Sequence, residues 1–374
     1  MLPPAIRRSW AEIDLSALHH NLRAIRSQLA PAVGVMGVIK ANAYGHGLPL
    51  VAEALRDAVE VLGVANVAEA REARRIAPNT PIFILGPALP DERPEIIDSG
   101  FIPSLSSLAE AAAFGALGES FGRTVEAHLI LDTGMGRIGL WEDDAERMAR
   151  EIAAVRGLSI TGLGSHLPVA DEDAEFTSAQ LDRFSALARR LRENAFPDAT
   201  LHIENSAGVI AFGPQAGDLV RTGLMLYGSS PLPEFQSRLR AAMTWKARIT
   251  LIREVGAGRG VSYGRTFITP HPMRIATIGV GYADGVRRHL SNRGAAVLIA
   301  GHRCPVLGRV TMDQILADVS ALPDIREGDE AVLLGRQGDE EIFAADVAAM
   351  AGTIPWDVFT GIGSRVERVA INPT

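Results

Sequence analysis

The spacing of apolar positions changes once along the chain. Through the first two thirds, short apolar runs alternate with longer stretches in which apolar residues return every three or four positions. The runs at 33–39 (VGVMGVI), 60–65 (EVLGVA), 81–85 (PIFIL), 100–105 (GFIPSL), 125–131 (VEAHLIL), 157–164 (GLSITGLG), 200–204 (TLHIE) and 217–221 (GDLVR) predict eight strands. Helices are predicted between them at 48–58, 67–77, 106–117, 143–155 and 174–195, and another at 15–30, with Asp14 or Ser16 as its N-cap. Strands that alternate with helices imply parallel pairing through crossover connections. Eight such units imply an α/β fold of the (β/α)8 TIM-barrel type, with a doubly wound open sheet as the rival. From about residue 240 strands and turns take over: MTWKARITLI, GVSYGRTF, MRIATIGVG, AAVLIAG, ILADVS, EAVLLG and SRVERVAI. The pattern therefore predicts a barrel domain over 1–238 and a C-terminal mainly β domain over 239–374, with Pro231 and Pro233 near the join. GAGRG at 256–260 lies between two strands and reads as a turn, not a phosphate cradle.

Composition narrows the partners. A chain of 374 residues is long enough for two cores. Its net charge of -7 offers no basic footprint for nucleic acid or an anionic membrane. Cys304 is the only cysteine, the first residues lack the apolar core of a signal peptide, and no apolar run is long enough to span a bilayer. The expected location is cytoplasmic. One Cys and nine scattered His give no metal constellation, so no metal is expected.

In a barrel of this type the chemistry gathers where strands end. The first strand ends on Lys40, within VIKANAYGHG; the fifth runs into DTGMGR; the sixth ends at His166, the seventh at Asn205 and Ser206, and the eighth at Arg221, Thr222 and Gly223. Taken singly, each has a structural explanation: a solvated strand end, a hydrogen-bonded histidine, half of a surface ion pair. Together they suggest a site. A lysine at a low-dielectric barrel mouth loses its proton more easily than in water, and a neutral amine forms Schiff bases with carbonyls. The loops after strands seven and eight are common phosphate sites, and Ser206, Gly223 and Leu224 occupy them. A Schiff-base lysine beside a phosphate site is what pyridoxal 5′-phosphate requires.

VIKANAYGHG, DTGMGR, the Ser165-His166 pair, ENSAG, VRTGLMLYG, VSYGRTF, IGVGYADG and GRVTMDQ follow one another in the order and spacing of bacterial alanine racemases. The resemblance runs from Trp10 to about residue 319, with a weaker tail. It implies a barrel followed by a β domain, a pyridoxal-phosphate-dependent racemase, and a head-to-tail homodimer whose sites receive groups from the partner's C-terminal domain. Lys40 then resembles the Schiff-base lysine and one of two catalytic bases; Tyr263, from the second subunit, resembles the other. Two bases suit inversion, since one removes the α-proton from one face while the other returns a proton to the opposite face. A phenol is a poor base at neutral pH unless its neighbours stabilise the phenolate, and the resemblance gives that task to His166 and Arg221. Arg221 is also implied to face the cofactor's ring nitrogen. Arginine stays protonated and cannot readily give that nitrogen a proton, so the ring is a weaker electron sink, which favours reprotonation at Cα over transamination. Tyr44, Ser206, Gly223 and Leu224 resemble the phosphate-binding set, with Tyr282 completing it or lining the entrance from the partner chain. Arg137 resembles the donor to the cofactor's phenolic oxygen and the substrate carboxylate; Met312 and Asp313 resemble partner-subunit residues at the substrate.

Two positions depart from the family pattern. Where many members carry a lysine that becomes a carbamate and holds the arginine, this chain has Ile130, which cannot accept a hydrogen bond. Water, a bound anion or another side chain is then expected to position Arg137. Where some relatives have a tyrosine before the final RV-containing strand, this chain has Ser364, which leaves more room and predicts racemisation of serine or another small amino acid beside alanine. The competing readings are a barrel-type amino-acid decarboxylase, which Arg221 argues against, a cofactor-carrying regulatory protein, which the long C-terminal region argues against, and a metal-dependent relative acting on D-hydroxyamino acids.

Overall fold

The computed structural model describes residues 7–373. They form two compact units: one from residues 18–43 and 48–240, the other from the described residues up to Ala17, 44–47, and those from Ala241 onward.

The strands up to the end of the first unit are β1 (Ser9–Asp14), β2 (Gly34–Val38), β3 (Val61–Val64), β4 (Ile82–Ile84), β5 (Ile102–Leu105), β6 (Val125–Asp132), β7 (Leu140–Trp141), β8 (Leu158–Gly164), β9 (Thr200–His202) and β10 (Leu219–Thr222). Eight of them lie parallel in the order β10-β2-β3-β4-β5-β6-β8-β9, and each falls within one of the eight predicted runs or a residue beyond it. Strand β10 returns to the first strand of the sheet, with Leu219 opposite Gly34 and Thr222 opposite Gly37. Two backbone bonds draw the remaining edges together, Asp218 N–H to the Leu201 carbonyl at 2.8 Å and Arg221 N–H to the Glu204 carbonyl at 2.9 Å. The sheet is therefore a nearly closed (β/α)8 barrel, and the open-sheet rival does not apply. Inside it Met36, Phe83, Ile130 and Leu219 are packed together, with Val61, Leu85, Ile102 and Ile138 against them. Each fully buried side chain of this kind stabilises the barrel by about 1.5–3 kcal/mol.

Asp14 does cap the first helix, Leu15–Arg26: its Oδ1 accepts from the Ala17 N–H at 3.1 Å and from the Ser16 hydroxyl at 2.7 Å. That helix ends four residues earlier than predicted.

The second unit is built on β11 (Met243–Val255), followed by β12 (Gly260–Val261), β13 (Phe267–Ile268), β14 (Met273–Ile278), β15 (Ala296–Ile299), β16 (His302–Pro305), β17 (Ile315–Asp318), β18 (Glu330–Gln337), β19 (Glu340–Ile342) and β20 (Glu367–Ile371). Long β11 pairs antiparallel with β14 and β18, and also with β1, which lies parallel to β20. A cut at 238/239 assigns β1 to the barrel, whereas its backbone bonds place it in this sheet. The reason is that Trp10, Ala11 and Ile13 are buried in the second unit, and pairing with partners at least 230 residues away leaves no local trace. The helices Ala344–Ala351 and Pro355–Thr360 also belong here and were not predicted. Among the described residues no helix is long and apolar enough to cross a membrane, and no group of His, Cys, Asp and Glu could hold a metal ion.

Candidate active site

The site at the strand ends begins with an unusual piece of backbone. Directly after Lys40, Ala41, Asn42 and Ala43 all have φ of 53° with ψ between 46° and 52°, and Tyr44 follows at φ 52°. This is a left-handed turn made without glycine. Each such residue costs roughly 1–2 kcal/mol, so the surroundings must over-determine it. The Asn42 Oδ1 accepts from the Leu48 N–H at 2.7 Å, and the Ala43 N–H donates to the Ile39 carbonyl at 2.8 Å. Lys40 holds its proton less firmly than a free lysine, because it is desolvated and because Arg137 and Arg221 repel its charge.

Arg221 is the centre of the site. It is buried, and burial lowers its pKa to about 10, with Glu204 opposing and Arg137 reinforcing the fall, so it stays charged at neutral pH. One terminal nitrogen donates to His202 Nδ1 at 2.6 Å and to the His202 carbonyl at 2.9 Å. The other donates to the carbonyls of Ser165 at 2.5 Å and Ile203 at 3.1 Å, and to His166 Nδ1 at 3.1 Å. Its Nε–H is the nitrogen with no protein partner among the described residues.

These bonds set histidine tautomers. His166 accepts at Nδ1 and so carries its proton on Nε2. It is kept neutral, its pKa pushed down to about 3 by burial and then by Arg221, Arg137 and Lys40. His202 likewise accepts from Arg221 and passes its Nε2–H to His128 Nδ1 at 3.0 Å. Both of these rings are buried against Phe83; burial and Arg221 push His128 down to about 4 and His202 well below its usual value. This two-histidine support was not foreseen. Its one sequence signal was an ionisable residue in the middle of two apolar strands.

Arg137 stands on the loop after β6. With Ile130 buried in the apolar barrel cluster, nothing polar comes from that position. The backbone of the loop is instead held by buried Asp132. Its Oδ1 accepts from the N–H groups of Gly134, Met135 and Gly136, each at 3.0 Å, and its Oδ2 from the Arg137 N–H at 3.1 Å. Gly139 closes the loop at φ 114°, where a Cβ would meet the Ile130 carbonyl oxygen at 2.9 Å. The Arg137 guanidinium has no hydrogen-bond acceptor among the described residues. Lys40, Arg137 and Arg221 thus form a cationic cluster with no carboxylate bonded to any of their side chains, an arrangement suited to an anionic occupant.

Ser206 and Gly223 do meet: the Ser206 oxygen accepts from the Gly223 N–H at 3.3 Å, which leaves the hydroxyl proton free to donate elsewhere. Buried Thr222 next to them has a hydroxyl without a partner, and Leu224 opens a 3-10 turn to Tyr227. Orphaned donors beside the cation cluster fit a phosphorylated, aromatic cofactor such as pyridoxal phosphate.

The remaining residues lie in the second unit. Tyr44 is buried there, and burial raises its hydroxyl to about 12, so it remains a donor. Tyr263 is 70% exposed on the loop between β12 and β13. Its loop is tied to the one before β17 by the Ser262 hydroxyl, which donates to the Arg309 carbonyl at 2.6 Å. Tyr282 and Met312 are adjacent, because the Tyr282 N–H donates to the Thr311 carbonyl at 2.9 Å and the Ala283 N–H to the Met312 carbonyl at 3.0 Å. Gly281 permits this approach, since a Cβ there would lie 2.3 Å from the Met312 carbonyl oxygen. Asp313 pairs with Arg365 at 2.9 Å, and Arg365 reaches Asp284 at 3.3 Å. Tyr263, Tyr282, Met312 and Asp313 therefore form one exposed loop cluster.

The same two-part chain is found in known proteins. Residues 13–231 match the family model for the alanine racemase N-terminal domain, and residues 242–370 the one for the alanine racemase C-terminal domain. An alanine racemase of Symbiobacterium thermophilum is 40% identical over 367 residues, covering 97% of each chain. The crystal structure of alanine racemase from Bacillus anthracis with bound L-Ala-P has a TM-score of 0.89 at 32% identity, covering 99% of this chain and 96% of that one. The structure from Bartonella henselae with covalently bound pyridoxal phosphate has a TM-score of 0.87 at 30% identity, covering 98% and 100%. With both domain models matched in order and a relative this similar along nearly its whole length, the chain belongs to the alanine racemase family.

Proposed function

We propose that this chain interconverts L- and D-alanine with pyridoxal 5′-phosphate, Lys40 and Tyr263 acting as the two proton carriers. The observation that carries the reading is the gathering at the barrel's strand ends of a desolvated Lys40, whose pKa is lowered by burial and by its neighbours' charge, with Arg137 and Arg221, neither of which has a carboxylate bonded to its side chain. The cofactor, when bound, supplies an aldehyde for the lysine and an electron sink for the bond to the α-hydrogen. Lys40 holds it covalently and moves a proton at one face of Cα through Nζ. Tyr263 of a second copy moves a proton at the other face through its phenol oxygen, as its exposure on the C-terminal loops suits. His166, with its proton on Nε2, is the donor that stabilises the phenolate. The Arg221 Nε–H would donate to the cofactor's ring nitrogen, and a donor that stays protonated itself would not hand that nitrogen a proton. Tyr44, Ser206, Gly223 and Leu224 would hold the phosphate, with Tyr282 beside it; Arg137 would receive the substrate carboxylate together with the backbone of Met312 from the second copy, with Asp313 of that copy beside it. The dimer is head to tail, the C-terminal domain of each copy completing the other's site.

The experiment is incubation of the purified protein with L-alanine and pyridoxal phosphate while chirality is followed. Lys40→Ala and Tyr263→Phe are each expected to abolish racemisation. Mixed and re-assembled, the two dead variants form hybrid dimers with one intact site, and about a quarter of the activity returns if sites are shared between copies. No recovery in verified hybrids rules out the shared site. The exposed Ser364 supports a second, broader reading in which serine is also accepted.

A further inference from the structure

The helix Val67–Ile76 begins on an ordinary cap: Asn66 Oδ1 accepts from the Glu69 N–H at 3.0 Å. In the usual capping pattern the acidic residue at the third helical position returns one oxygen to a backbone N–H at the start of the helix. Glu69 does this with Oε2, which accepts from the Ala65 N–H at 2.8 Å. Capping leaves its other oxygen without a task. That oxygen, Oε1, accepts from the Ala41 N–H at 2.7 Å, the first residue of the left-handed turn and the neighbour of Lys40. One carboxylate thus joins the ends of two adjacent parallel strands, β2 and β3, whose pairing runs from Met36 opposite Val61 to Val38 opposite Gly63.

We propose that Glu69 is a positioning residue for Lys40, holding its backbone in the left-handed turn and supplying the one carboxylate that acts on its ammonium group. The groups that bear on Lys40 are Glu69, Arg137 and Arg221, with neutral His166 nearby, and of these Glu69 alone favours the protonated amine. A base that must both take and return a proton needs a fixed place and a balanced affinity. Glu69 serves both, the first through Oε1 and the second through its charge. The bland alternative, that Glu69 only starts its helix, accounts for Oε2 and leaves the contact to Ala41 without a reason.

The inference rests on Lys40 being the covalent anchor, so the test begins there. Borohydride reduction of the cofactor-loaded protein, followed by peptide mapping, locates the pyridoxyl group. The apo form of the full chain is then mixed with pyridoxal phosphate across a pH series, and the rate of imine formation read by absorbance gives the titration midpoint of the amine. Glu69→Gln keeps the size and removes the charge, and its amide nitrogen faces a backbone N–H that loses its acceptor. Its midpoint is expected to fall by about one unit, and its kcat/KM for alanine by about 10²-fold. Glu69→Asp keeps the charge but cannot reach both N–H groups; it is expected to lose rate with little change of midpoint. Glu72→Gln, an exposed change on the same helix, is expected to stay within about twofold of the unaltered protein. An adduct away from Lys40 overturns the anchor itself. An adduct on Lys40 with an unmoved midpoint in Glu69→Gln overturns the charge role, and unaltered kcat/KM in Glu69→Asp overturns the positioning role.

Discussion

Asp132 offers the sharpest test of how the cation cluster is held. Its two oxygens accept four backbone N–H groups, from Gly134 to Arg137, at 3.0 to 3.1 Å, in a loop that has no other anchor from Ile130. Asp132→Asn leaves one oxygen for the first three donors and turns an NH2 toward the Arg137 N–H. A single hydrogen bond to a charged acceptor is worth about 1.5–3 kcal/mol, and a donor facing a donor forfeits all of it. At 1.4 kcal/mol per factor of ten, local opening at Arg137 should become about 10- to 100-fold more frequent. Hydrogen exchange followed by mass spectrometry on the peptide spanning 132–139 reads this directly. A displaced Arg137 should also lower kcat/KM for alanine by roughly 10²-fold. Exchange at 134–137 equal to that of the unaltered protein, in a variant with an unchanged urea midpoint, refutes the assignment of loop rigidity to Asp132.

Two further outcomes are expected. The folded chain keeps His128, His166 and His202 neutral, whereas the unfolded chain protonates them near pH 6.5. Their contribution is therefore complete above that value and is lost as pH falls; His128 alone should cost about 3 kcal/mol between pH 6.5 and about 4. Urea midpoints of the apo chain measured over this range should decline steadily, and a flat profile contradicts the buried neutral pair. Ser364→Tyr should reduce the ratio of serine to alanine kcat/KM by roughly tenfold; side-by-side kinetics on the two amino acids check it, and a parent with no serine turnover removes the premise.

The barrel was legible because each strand is a short local run and each crossover helix repeats its own apolar period. All eight strands, and the polar residue that ends each active one, follow from signals within about ten positions. What escaped depends on contacts that distance in sequence hides. Strand β1 reads SWAEID and resembles a helix lead-in, yet it adds to β11 and β20. The left-handed turn after Lys40 is written in Ala, Asn, Ala and Tyr, of which only Asn favours that conformation, because tertiary bonds impose it. His128 and His202 lie 74 residues apart and form a pair only when the ring of strands brings them together. Of the three substitutes expected at Arg137, water, an anion or another side chain, the structure supplies a side chain, Asp132, which holds the Arg137 backbone; that it is Asp132 depends on the curl of the loop rather than on composition.

Closing the ring by pairing β10 with β2 has a consequence for the order of assembly. The last strand must find the first across most of the domain, and Tyr227 seals that meeting with a hydroxyl bonded to the Val38 carbonyl, 189 residues earlier. Loop closure of this length is entropically costly, so the pairing of β10 with β2 is the join expected to form last. Arg221 lies on the strand that makes this join, opposite Met36, and Gly223 directly follows it, so both reach their places at the rim only when the ring is closed.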